Sequence, residues 1–138
     1  PFIIYKKGKM FMATRSNIGM ITKERKVLVT YCHWDGYLKH NGQILLNNYK
    51  NSGQVYDLLS RGSISLLGES IESTKYYNNG IDATWYNSLE EYTDSLKDDI
   101  FIEYIYLWDC ALKCWVYKKI GDVGFKELTQ DAIEMEEC

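Results

Sequence analysis

Tyr31 to Tyr37 reads Y-C-H-W-D-G-Y, which gathers a thiol, an imidazole, a carboxylate and three large rings into seven residues. Nucleophilic, metal-binding and stacking sites are all built from such side chains. Cys32 directly precedes His33, and neighbours on a strand point to opposite faces, so this pair cannot make the contact of a thiol–imidazole dyad. Asp35, Glu69 and Asp109 supply carboxylates, but no spacing obliges two of them to converge for acid–base work. Cys110 and Cys114 have three residues between them, with Cys32, His33, Asp35 and His40 as further donors; the second half of a zinc-knuckle pattern is missing. The expectation is therefore no catalytic residue, no metal ligand and no cofactor. Recognition fits better. Tyr31, His33, Trp34 and Tyr37 offer ring faces around Asp35, and a helix beginning near Asn41 offers N–H groups to an anion. Arg15 and Ser16 join them if Thr14 to Asn17 (T-R-S-N) pairs beside Tyr31, giving a concave site suited to a nucleotide base and phosphate. The competing reading makes Trp34 and Tyr37 a plug at a sheet–helix junction, with Asp35 capping the turn.

The elements that must position these residues follow from periodicity. Ile18–Thr22 and Val27–Cys32 flank the polar Lys23–Lys26 and predict a β-hairpin, with Val27, Val29 and Tyr31 on one face and Leu28, Thr30 and Cys32 on the other. Ile44, Leu45, Asn48 and Tyr49 share a helical face behind a cap at His40 or Asn41. A second helix is expected over Gly53–Arg61, capped by Ser52 and stopped by Gly62 in the left-handed conformation. Ser63–Gly68 is apolar and must dock, whereas Glu69–Asn87 is polar, tyrosine-rich and aperiodic, and reads as an irregular excursion. Ser88-Leu89-Glu90-Glu91 is a capping box opening a helix to about Leu96. Ile100–Trp108 and Cys114–Ile120 predict a second hairpin, and Gly124–Glu136 a closing helix. Two hairpins with short helices between them predict an α+β fold: an antiparallel sheet with helices packed on one face.

At 138 residues the chain is sized for one domain with one core. Residues 12–138 are read as that domain, and residues 1–11 as an N-terminal extension, a cloning remnant or an added edge strand. A net charge of −3 and only three arginines argue against direct nucleic-acid binding. The longest apolar runs are far short of the ~20 residues a membrane helix needs, so no membrane association is expected. Cys32, Cys110, Cys114 and Cys138 are even in number, but a chain with a full core needs no disulfides, which favours a reducing compartment. The tyrosine-rich strand Ile100–Trp108 would serve a homodimer edge or an intrachain neighbour equally well.

The runs A-T-R-S-N-I-G-M (Ala13–Met20), Y-C-H-W-D-G-Y-L-K-H-N-G-Q-I-L-L (Tyr31–Leu46), V-Y-D-L-L-S-R-G-S-I-S-L-L-G (Val55–Gly68), E-Y-I-Y-L-W-D (Glu103–Asp109) and C-W-V-Y (Cys114–Tyr117) are distinctive together. This pattern resembles a family of small uncharacterised proteins of bacteriophages, prophages and some bacterial genomes, over most of Met12 to Lys119. Members place the T-R-S segment at their N-terminus, so Pro1–Phe11 precedes the shared pattern. The resemblance implies a non-enzymatic phage accessory protein acting in the host cytoplasm, by stoichiometric binding to a host or defence-system protein in counter-defence or host takeover. The alternative is a binder that sequesters a nucleotide or a nucleotide-derived signal through Arg15, Trp34 and their neighbours.

Overall fold

The computed structural model of the chain describes residues 2–6 and 9–136, with residues 2–6 and 9–12 described through their backbone alone; Cys138 lies outside the described residues. In chain order the elements begin with β1 (Phe2–Lys6), β2 (Lys9–Ala13), β3 (Arg15–Ile21) and β4 (Val27–Cys32). A single π turn over Leu38–Gly42 runs into α1 (Gln43–Asn48), followed by α2 (Ser52–Leu59), β5 (Ile64–Leu66), β6 (Lys75–Tyr76), β7 (Thr84–Tyr86) and α3 (Leu89–Ser95). The chain ends with β8 (Ile102–Asp109), β9 (Cys114–Lys119), β10 (Lys126–Glu127) and α4 (Gln130–Glu134).

The first two strands pair with each other as a separate antiparallel ribbon. The others form one sheet in the order β10-β9-β8-β3-β4-β5-β6, with β7 also on β4. β3 and β4 are antiparallel, as are β8 and β9. β3 and β8, however, run parallel over seven paired positions, and β4 meets β5 in parallel at Cys32 and Ile64. The fold is thus α+β, but the sheet is mixed where a purely antiparallel one was expected. The local hairpins are visible in the sequence, whereas the relative direction of two chain-distant strands is set by the long connection between them.

Period-two alternation gives the sheet two buried faces. On the first, Ile18, Met20, Leu28, Tyr104, Tyr106 and Trp108 pack against Leu45 of α1, Leu58 and Leu59 of α2, and Ile133 of α4. On the second, Ile21, Val27, Val29, Ile105 and Leu107 pack against Tyr92 of α3. This corrects the expectation of helices on one face: α3 covers the opposite one, because Leu89, Tyr92 and Leu96 give it an apolar stripe of its own. A bulge places Glu103 between Ile102 and Tyr104 opposite Arg15–Ser16, which turns Ile102 onto the same face as Ile105.

Several helix ends differ from expectation. The cap of α2 is Asn51, whose side chain accepts from Gln54 N, not Ser52. Ser52 instead accepts from the Trp108 indole at 3.1 Å. Gly62 does stop the helix at φ +86°, a conformation that costs a Cβ-bearing residue energy. Ser88 accepts from Glu91 N, and the Glu91 carboxylate reaches back to Asn87 N, one residue before the cap. Glu69–Asn87 is not wholly irregular, since it carries β6 and β7, and Gly124–Glu136 divides into β10 and the short α4.

Candidate functional site

β3 and β4 bring the T-R-S-N segment beside the aromatic turn, with Ser16 opposite Cys32 and Asn17 opposite Tyr31. Alternation then separates the residues expected to share one concavity. Ser16 and Asn41 are fully buried. Asn41 Nδ2 donates to Ser16 Oγ at 3.2 Å and lies 3.4 Å from Cys32 Sγ, while Asn41 Oδ1 bonds His40 Nδ1 at 2.8 Å. Asn41 therefore does not cap a helix for an incoming anion: it satisfies a polar cluster inside the first face. Burial there pushes the Cys32 thiol up to about 11, keeping it un-ionised and poorly nucleophilic at neutral pH.

The turn is strapped to the sheet from both ends. His33 N and Trp34 N donate to Ile64 O and Ser65 O, each at 3.0 Å, and Gly36 N donates to Thr14 O at 2.8 Å. Tyr106 Oη donates to Gly36 O at 2.6 Å. A Cβ on Gly36 would stand 2.8 Å from Ser16 Cβ and 2.9 Å from Thr14 O, so only glycine lets the turn lie this close. Asp35 takes a positive φ of 57°, and its carboxylate stands 4.0 Å from His40 Nε2. Trp34 is half-buried with its indole edge-on to His33, ring centres 4.8 Å apart. Tyr37 is exposed near His40. The turn is thus partly anchor and partly surface, a division neither expectation contained.

Tyr31 and His33 face the other way. The Tyr31 hydroxyl bonds His33 Nδ1 at 2.6 Å. Burial pushes Tyr31 up to about 12 against the opposing pull of the Arg15 guanidinium; burial first, and then Arg15, lower His33. Arg15 itself lies over the Phe101 ring at 4.8 Å.

Next to Tyr31 opens a cavity of about 600 Å³, within the range of small-molecule sites. Its floor is the second sheet face with Asn17, Tyr86 and Tyr92, and its far wall is the loop from Tyr77 to Asp82. Asn17 Nδ2 donates to the Tyr92 hydroxyl at 2.8 Å, and the Tyr86 and Tyr92 rings lie 5.1 Å apart. Ser63 ties the loop down, donating its N–H to Ile81 O and accepting from Tyr77 N and, through its hydroxyl, from Ile81 N. Of the eight residues expected at a site, Tyr31 alone lines this cavity. The missed signal was the run Y-Y-N-N-G (Tyr76–Gly80), ring and amide donors concentrated in a stretch read from its lack of period as an irregular excursion.

Among the described residues no group of three His, Cys, Asp or Glu side chains is arranged to hold a metal ion, and no helix is long and apolar enough to cross a membrane. Cys32, Cys110 and Cys114 are free thiols. Comparison of the chain with models of known families, with curated proteins and with solved structures gave no match.

Proposed function

We propose that this protein captures a small ring-bearing molecule stoichiometrically, without turning it over. The observation that carries this reading is the cavity between β4 and the 77–82 loop, in which four tyrosine rings and three asparagine amides surround enough space for such a ligand. The chemistry of the lining supports binding over turnover. Among the described residues the lining's one carboxylate, Asp82, has no second acid or imidazole beside it, and the Tyr31 and Tyr92 hydroxyls, which burial pushes further up, stay protonated near neutral pH. Sequestration of a nucleotide-derived compound during phage infection, in the host cytoplasm, is the setting that the sequence resemblance suggests for such a binder. Equilibrium dialysis of the full chain against a bacterial small-molecule extract tests it: one compound is expected to be retained near 1:1 and recovered unchanged after denaturation. At 100 times its Kd, that compound would stabilise the fold by about 2.7 kcal/mol. Retention of nothing, or recovery of a converted product, would overturn the reading.

A second reading, engagement of a host or defence protein, draws support from the same loop. Ile81 is 79% exposed and Tyr77 41% exposed, an apolar rim of the kind that protein partners cover. Pull-down from an expressing host is then expected to recover one protein at stoichiometric yield with the native chain and to lose it with Ile81→Asp. Equal recovery by both chains would sink this reading.

A further inference from the structure

The outer edge of β4 is shared by two strands that leave a gap. β7 pairs with Val27–Val29, and β5 meets β4 at Cys32. Main-chain N–H groups of successive strand residues point alternately to the two sides. His33 sends its N–H outward to Ile64 O. By that alternation Tyr31, two residues earlier, has its N–H on the same outer side, beside the gap, and Tyr31 is a register partner of neither flanking strand. The cavity lies at this interruption, with Ser63 and Thr84 at the ends of the flanking segments. An unfilled main-chain position of this kind is where an added strand or a flat hydrogen-bonding ligand docks.

Charge narrows the ligand. Among the described residues the lining contains Asp82 and no Lys, Arg or His, so a polyphosphate inside would lose its hydration beside a carboxylate with no cation in contact. A planar heterocycle loses far less. Its faces meet the rings of Tyr31 and Tyr86, and its edge of alternating donors and acceptors meets the Tyr31 N–H and the amides of Asn17, Asn78 and Asn79. We propose that the cavity takes an uncharged nucleobase or nucleoside, whose edge fills the gap in the β4 edge at Tyr31, and that any phosphate group remains outside. This inference rests on the small-ligand reading above and specifies its ligand.

Calorimetric titration of the full chain with the common nucleosides, their mono- and triphosphates and a set of neutral saccharides tests it, at roughly 0.05 M and 0.3 M salt. One nucleoside is expected to bind, with its triphosphate no more than about threefold tighter and with little change between the two salt concentrations, since charge pairing is not the source of affinity. Tyr86→Ala, a half-buried change whose fold is checked by circular dichroism, is expected to weaken binding at least tenfold. A triphosphate that binds more than tenfold tighter with a steep salt dependence, or a saccharide that binds where nucleosides do not, would overturn the nucleoside assignment while leaving small-molecule capture standing. A flat response to every nucleoside and nucleotide also overturns it. Capture without turnover falls if the extract dialysis retains nothing or returns a converted product.

Discussion

Tyr92→Ala is expected to lower unfolding stability by about 3–5 kcal/mol, read as a fall in the urea midpoint at unchanged slope. Tyr92 is 1% exposed and is the residue of α3 that enters the second face, among Val27, Val29, Ile105 and Leu107. α3 has seven residues, too few to hold itself helical in water, so its order derives from this ring and the flanking Leu89 and Leu96. Truncation leaves a void that the strands cannot close, and it also strips Asn17 Nδ2 of its acceptor. Tyr92→Phe separates the two effects: packing survives, the buried amide is orphaned, and the cost drops to about 1–3 kcal/mol. Amide exchange in α3 should accelerate in Tyr92→Ala far more than in Tyr92→Phe. A loss below about 1 kcal/mol for Tyr92→Ala would mean that α3 does not cover the second face.

How much of this architecture is readable in the chain depends on the range over which each signal acts. Alternation in Val27–Cys32 puts apolar residues on both faces of a strand, and both faces are covered. The serine–glutamate spacing announces α3, because a cap is a contact between residues three apart. Gly62 ends α2 for an equally local reason. The parallel pairing of β3 with β8 joins segments more than eighty residues apart, and no short window contains it. The placement of α3 is a similar case: its stripe of Leu89, Tyr92 and Leu96 shows that it buries a face, yet only the assembled sheet decides which one.

The site was legible in the same uneven way. The aromatic turn draws attention by residue type, and its pairing beside T-R-S-N follows from the hairpin. What composition cannot convey is that Ser16 turns inward while Tyr31 turns outward, which depends on the parity of each residue along its strand, or that the π turn carries Asn41 inward. The cavity draws on β3, β4, β7, α3 and the 77–82 loop together, so its lining has no sequence motif beyond a local surplus of tyrosine and asparagine. Irregular sequence at a binding loop is expected on physical grounds, since a segment that need not repeat a period is free to present side chains to a ligand.

The interior end of the aromatic turn makes the complementary prediction. Asn41→Asp is expected to cost about 1–3 kcal/mol at pH 7 despite adding no volume, the range for buried polar groups left without partners, since His40 Nδ1, 2.8 Å from the side-chain oxygen, offsets part of the new charge. Asn41 is fully buried, and its amide nitrogen is the donor to Ser16 Oγ, with Cys32 Sγ close by. A carboxylate there loses that donor and must ionise next to a thiol that burial keeps protonated. Desolvation raises the folded-state pKa of the introduced acid above its unfolded value of about 3.9, so at neutral pH the unfolded chain is ionised at lower cost than the native one. The native state then binds more protons than the unfolded state, and stability falls as pH rises through that window. The deficit relative to the native chain should be greatest near pH 7 and shrink as pH approaches 4, in paired urea titrations of the two proteins. A deficit independent of pH would place the new side chain in contact with water, and the polar cluster of Ser16, Cys32, His40 and Asn41 would then not be the anchor of the turn.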